Sequence, residues 1–125
     1  NSRFFLDEND IIIPMDGSKV GKNYVRVLKV DLPLLLHQRM CRVRPKSNIS
    51  SQFLEYYFGS EMFRYYITIS KTAPMIPHIT QKNIFDFQIP LPTIKEQNFI
   101  NDYLSEHVLE IDNLLVLEDK KVNPY

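Results

Sequence analysis

The 125-residue chain holds a single cysteine, Cys41, and only three glycines, and its fifteen basic and fifteen acidic side chains leave it without net charge. Each shortage excludes something. One thiol cannot close an internal disulfide. With 44% apolar residues and so little glycine, the composition is not that of a disordered segment. No run is both long and uncharged, so no stretch reads as a membrane span. Neutrality speaks against a uniformly basic nucleic-acid binder. A signal-peptide pattern is missing as well, which together with the lone thiol points to a reducing, cytoplasmic setting. Neither an internal repeat nor a low-complexity tract is found. The length fits one domain with a modest core, and the abrupt opening "NSRFFLDEND", without methionine, points to a piece of something longer.

The zero average conceals a segregation along the chain. Between Gly17 and Ser50 stand eight Lys or Arg (Lys19, Lys22, Arg26, Lys29, Arg39, Arg42, Arg44, Lys46) against Asp31 alone. From Glu96 onward seven acids face Lys120 and Lys121. Such a chain can offer one face to a polyanion and another to a protein partner. Clustered charge that merely solvates a surface is the plainer alternative.

Hydrophobic periodicity sets out the elements. Ile11 to Ile13 reads as a short strand stopped by Pro14 and the turn-prone Asp16-Gly17-Ser18. "NYVRVLKV" alternates with period two and reads as a second strand. "LLLHQRMCRVRP" reads as a third, with Leu35, Cys41 and Val43 inward and Arg42 and Arg44 outward, giving a half-buried strand with a basic face. In "SSQFLEYYFGSEMFRYYI" the period changes: Leu54, Tyr57, Phe58, Met62, Tyr65 and Tyr66 form the stripe of an amphipathic helix behind Ser51 as N-cap. That stripe is core or a base-stacking platform, and helical spacing favours core. The proline-rich stretch that follows reads as an ordered loop with a short helical or extended turn near Thr80 to Phe87.

"IPLPTIKEQNFI" then stiffens the chain with Pro90 and Pro92 and opens a long helix at a capping box, Thr93 with Glu96. Ile100, Leu104, Val108, Ile111 and Leu115 follow at steps of four, four, three and four. A seam this narrow suits a coiled-coil partner helix or the chain's own core.

Catalytic signals are weak. Cys41 is paired with His37 only at four residues' distance, roughly 13 Å along a strand, too far for a nucleophile and its base. A hydrolase built on Cys41 and a histidine is thus a minor alternative. Three dispersed histidines give no metal-ligand spacing, and "GSKVGK" lacks the spacing of a phosphate-binding loop.

Several features stand in one order: Asn-Asp-Ile-Ile (9 to 12), Gly17 with Gly21-Lys22, Gln38 ahead of Arg42-Val43-Arg44-Pro45, Phe53-Leu54, Ser60, and then "IPLPTIKEQNFI". The combination resembles the target-recognition domain of the specificity subunit of type I restriction-modification enzymes. The most specific part is the "IPLP...EQ..I...L" run from Ile89 to Leu104. Thr93 stands where that family often has another proline, and Asn9 where it usually has glycine. The family pattern also starts several tens of residues earlier, so this chain is expected to be part of one recognition domain (residues 1–92) followed by the start of a conserved spacer helix (residues 93–120).

The resemblance implies an α+β fold, with a small mixed or antiparallel sheet, an amphipathic helix and the beginning of a long coiled-coil-type helix. It implies sequence-specific recognition of one half of a bipartite DNA site, without catalysis and without a cofactor in this chain. S-adenosylmethionine, ATP and Mg are implied only for partners, the adenine methyltransferase (modification) subunits and a motor-nuclease (restriction) subunit. The candidates for contact with double-stranded DNA are Lys19, Lys22, Arg39, Arg42, Lys71, Thr72, His78 and Gln81, the lysines toward phosphate and the arginines toward guanine. Ile100, Leu104, Val108, Ile111 and Leu115 are the candidates for helix pairing, and an unpaired seam favours self-association. The alternative is a small stand-alone protein-protein interaction module that uses the acidic C-terminal helix.

Overall fold

The structure is a computed structural model that describes residues 4–17, 20–70 and 78–122, of which the last five are described by backbone alone. It is an α+β chain. Strands β1 (Ile11–Pro14), β2 (Val25–Arg26) and β3 (Met40–Val43) form an antiparallel sheet in the order β2-β1-β3. Helices α1 (Ser51–Phe58), α2 (Glu61–Ser70) and α3 (Gln81–Phe85) follow, and then α4 (Ile94–Val122).

β1 is central because Ile11 and Ile13 alternate onto one face, where both are wholly buried. Ile11 pairs with Val43 and Ile13 with Cys41, so one apolar layer faces the helices. Leu54, Phe58, Phe63, Ile67, Ile79 and Ile84 close the core from the other side. Phe63 sits at its centre, edge-on to Phe58 at 4.9 Å and to Phe87 at 5.0 Å between ring centroids.

The second expected strand is much shorter than its pattern. The Asp31 carboxylate accepts the Leu28 N–H at 2.9 Å and folds Lys29–Asp31 into a 3-10 turn, which leaves Val30 86% exposed. Local Asx bonding outcompetes the ladder there. Leu35 likewise is not on the inward face of β3. The turn at His37, where Met40 N–H bonds to His37 C=O at 3.0 Å, separates Leu35 from the strand and leaves it exposed.

The single aromatic helix expected within residues 50–67 is two. Gly59 ends α1, and the Ser60 hydroxyl accepts the Phe63 N–H at 3.2 Å to restart the chain as α2. The break resets the helical phase. Phe53, Leu54, Phe58, Phe63 and Ile67 are buried, while Met62 and Tyr65 point to solvent. The cap of α1 is Ser50, whose Oγ accepts the Phe53 N–H; Ser51 instead donates to the Asn9 carbonyl at 2.6 Å.

At the entry to α4, Thr93 Oγ1 accepts the Glu96 N–H at 3.3 Å, and Thr93 C=O accepts the Gln97 N–H at 2.9 Å. The first three turns of α4 lie on α1. Gln97 is completely buried and Asn101 nearly so, whereas from Glu106 to Leu117 every residue is exposed. α4 therefore projects from the body of the domain.

Candidate nucleic-acid interface

The sheet sorts the basic segment into two ends. At the end where Ile11 pairs with Val43, the arginines are engaged by the chain's own acids. Arg44 grips the buried Asp10 through Nε and Nη2, both at 2.8 Å, and reaches Asp7 at 3.2 Å. Arg26 Nε donates to Glu55 at 2.6 Å. Burial on its own would push the Asp10 carboxyl up, but the Arg44 hydrogen bonds, the Asp7 N–H and the charges of Arg44 and Arg42 outweigh it and hold the carboxyl below its ordinary value. Arg26 and Arg44 are thus structural cations.

At the other end, about 10 Å away across three steps of strand, Pro14 pairs with Met40 and the chain gathers a different set. Gly21 N–H donates to Pro14 C=O at 3.0 Å and brings the exposed Lys22 there. Met15 N–H donates to Arg39 C=O at 3.1 Å, and Met15 C=O accepts the Ile79 N–H at 3.0 Å. Three separate segments are thereby stitched to one point. On the side-chain level, Asp16 Oδ1 lies 2.5 Å from His78 Nδ1, and Asp16 Oδ2 lies 3.7 Å from Arg39 Nε.

Of the candidate DNA contacts, Arg39 and His78 are brought together at this end, with Gln81 exposed at the start of α3 three residues beyond His78. Lys22 is tied to it only through the Gly21 backbone and lines a separate hollow with Tyr24, Phe58 and Arg64. Arg42 is not part of the group. It stands midway along β3 opposite Ile12, half-buried on the face away from the core, and its charge acts on Asp10. Lys19, Lys71 and Thr72 lie outside the described residues.

The helix seam also divides. Ile100 and Leu104 are half-buried and, with Phe53, Tyr56, Tyr57 and Leu91, line an apolar groove of about 540 Å³ between α1 and α4. Val108, Ile111 and Leu115 are exposed, at 47 to 58%. Next to the first pair runs a polar ladder absent from the sequence-based expectations. Gln97, Asn101 and Ser105 bond to Ser50, Gln52 and Tyr56 of the α1 segment. Their spacing of four was visible in the sequence, but a stripe of small polar residues gives no sign that it is buried. Asp16 likewise stood there only as part of a turn.

Nothing in the geometry supports a thiol nucleophile. Burial pushes the Cys41 thiol up to about 11, so it stays protonated near neutrality. His37 Nδ1 is turned to the Arg39 N–H at 3.2 Å. Among the described residues no cluster of His, Cys, Asp and Glu is disposed to hold a metal ion, and no helix is long and apolar enough to cross a membrane.

The family described as type I restriction modification DNA specificity domain matches residues 1–117. The chain is 31% identical over 119 residues to the type I restriction enzyme MjaVIII specificity subunit of Methanocaldococcus jannaschii, covering 93% of this chain and 27% of that protein. It is also 31% identical over 114 residues to the EcoAI specificity subunit of Escherichia coli, covering 89% and 19%. The chain therefore spans only about a fifth to a quarter of the length of these relatives. In fold it is similar to the crystal structure of the HsdS subunit from Thermoanaerobacter tengcongensis, with a TM-score of 0.72 and 23% identity over 97% of this chain and 32% of that one. A match over residues 1–117 takes in both the sheet and the projecting helix, and by it this chain belongs to the type I restriction modification DNA specificity domain family.

Proposed function

We propose that this chain reads one half of a bipartite DNA site inside a type I restriction-modification complex and performs no chemistry itself. The observation that carries the reading is the family match over residues 1–117. The meeting of Arg39 and His78 at one sheet end, apart from the internally paired Arg26 and Arg44, supports it. Lys22, with Lys19 and Lys71, meets phosphate and positions the domain; Arg39, His78 and Gln81 reach base edges, together with Thr72. Val108, Ile111 and Leu115 pair with a second helix, which makes α4 the spacer of the subunit. The complex works in the cytoplasm, where adenine methyltransferase subunits supply S-adenosylmethionine chemistry and a motor-nuclease subunit uses ATP and Mg. This chain holds none of these cofactors.

The test is methylation by the assembled enzyme. Replacing Lys22 and Arg39 together by Ala is expected to lower site-specific methylation by about ten- to a hundredfold, while the domain stays folded. Arg39→Ala should relax the preference at one base pair, whereas Lys22→Ala should weaken binding evenly and reduce its salt dependence. Unchanged methylation in the double variant would refute the placement.

A further inference from the structure

The end of the sheet assigned to DNA carries an acid, and that placement needs a reason. The Asp16 side chain is only 26% exposed and stands between Arg39 and His78. A carboxylate facing a polyanion is unfavourable unless it serves the neighbouring cations. It is not needed to hold the segments together. The Met15 backbone already does that through the Arg39 carbonyl at 3.1 Å and the Ile79 N–H at 3.0 Å.

We propose that Asp16 is a positioning residue for base reading, its two carboxylate oxygens aiming the Arg39 guanidinium and the His78 imidazole at the major groove. The oxygens are divided between the two partners, Oδ1 at 2.5 Å from His78 Nδ1 and Oδ2 at 3.7 Å from Arg39 Nε. The contact on Arg39 is made at Nε. It leaves both Nη groups on the exposed tip, where a planar fork fits O6 and N7 of guanine. A long side chain already oriented this way loses less conformational freedom when it binds. His78 is held on the same carboxylate, and the isolated bridge between residues 16 and 78 keeps it within reach of the neighbouring base. The chemistry assigns Arg39 a guanine, and Asp16 makes that assignment sharp without touching DNA.

The inference rests on the DNA-reading proposal above, and one experiment separates the two. The bipartite site of the assembled enzyme is first read from the methylated adenines of its host DNA. Duplex oligonucleotides are then made with each base pair of the half-site replaced in turn. Asp16→Ala is expected to lower methylation of the intact site about tenfold and to relax the same single base pair as Arg39→Ala, with the double variant no worse than Arg39→Ala alone. Asp16→Asn, which is isosteric and uncharged, must relax that same position and replaces Asp16→Ala if the latter does not fold. A purely structural role would lower methylation on all oligonucleotides alike. That outcome, or additive losses in the double variant, overturns the positioning role. Methylation without any recurrent sequence in the wild-type enzyme overturns the DNA-reading proposal itself.

Discussion

Gln97 Oε1 accepts the backbone N–H of Ser50 at 2.7 Å, joining α4 to the cap of α1 across 47 residues of sequence. The same amide donates through Nε2 to Asn48 C=O at 3.0 Å and to Pro92 C=O at 2.8 Å. The side chain is wholly buried. Its buried amide is thereby fully partnered by three backbone groups from the two segments it joins, and Pro90 and Pro92 hold the approach to the helix extended. Gln97→Ala is expected to lower stability by about 3 kcal/mol, since each orphaned buried group costs roughly 1 to 3 kcal/mol. Gln97→Glu should cost at least as much, because its carboxylate would face two carbonyl oxygens. Urea unfolding of the three chains measures both, and a loss below about 1 kcal/mol for Gln97→Ala would show that the junction is held elsewhere.

A second prediction concerns acid. Asp10 is 1% exposed and its folded pKa lies below the ordinary 3.8. A carboxyl depressed on folding binds fewer protons folded than unfolded, so its contribution is complete above the unfolded value and fades as pH drops through the folded one. The Asp10–Arg44 pair therefore stabilises the chain at neutral pH and is lost in the acid range below about pH 4. Arg44→Ala leaves the buried Asp10 with the Asp7 N–H and the more distant charge of Arg42, and is expected to cost about 3 kcal/mol at pH 7. It should also move the acid unfolding midpoint upward, as followed by circular dichroism. An unmoved midpoint would mean that Asp10 does not govern acid stability.

The central strand, the inward Cys41 and Val43 of β3 and the start of α4 were legible because each rests on local signals: Ile11 and Ile13 alternate, Pro14 stops the strand, and Thr93 caps the helix. The rest depends on contacts distant in sequence. Ser50 rather than Ser51 caps α1 because Ser51 is taken by Asn9, 42 residues away. The basic run read as one surface, yet Arg26 and Arg44 are consumed by Glu55 and Asp10, partners 29 and 34 residues distant. Charge counted along a chain does not reveal which charges neutralise one another in space. For the same reason, Lys22, Arg39 and His78 could be nominated one by one, but the Asp16 that joins two of them could not.

Gly21 offers a test of the turn that delivers Lys22. Its φ is +69°, and a Cβ built there would lie 3.0 Å from both Cγ1 and Cγ2 of Ile67 on α2. A left-handed backbone disfavours any side chain, and Ile67, 4% exposed in the core, has little room to yield. Gly21→Ala is expected to lower stability by about 2 to 3 kcal/mol, combining backbone strain with overpacking. Ile67→Ala removes both γ carbons, so in that background Gly21→Ala should cost less than it does in the parent chain, and thermal unfolding of the single and double variants checks it. If the double variant is additive, the contact with Ile67 is not the cause.

Leu104 and Leu115 lie eleven residues apart on one seam of α4 but do different work. Leu104 is half-buried beside Phe53 and Tyr56, whereas Leu115 is 58% exposed on the part of the helix that leaves the domain. Leu104→Ala is therefore expected to cost about 1 to 2 kcal/mol in the chain by itself, as a partly buried leucine does. Leu115→Ala should stay within about 0.5 kcal/mol. Assembly should reverse the order. If Val108, Ile111 and Leu115 are the face that pairs with a second helix, Leu115→Glu buries an unpaired charge there and weakens the assembled complex about tenfold or more, while the unfolding of this chain alone is unchanged. Sedimentation of the reconstituted complex at graded concentrations gives the first quantity and urea unfolding the second. A complex indifferent to Leu115→Glu would remove this face from the interface and leave the groove at Ile100 and Leu104 as the place where α4 meets its surroundings.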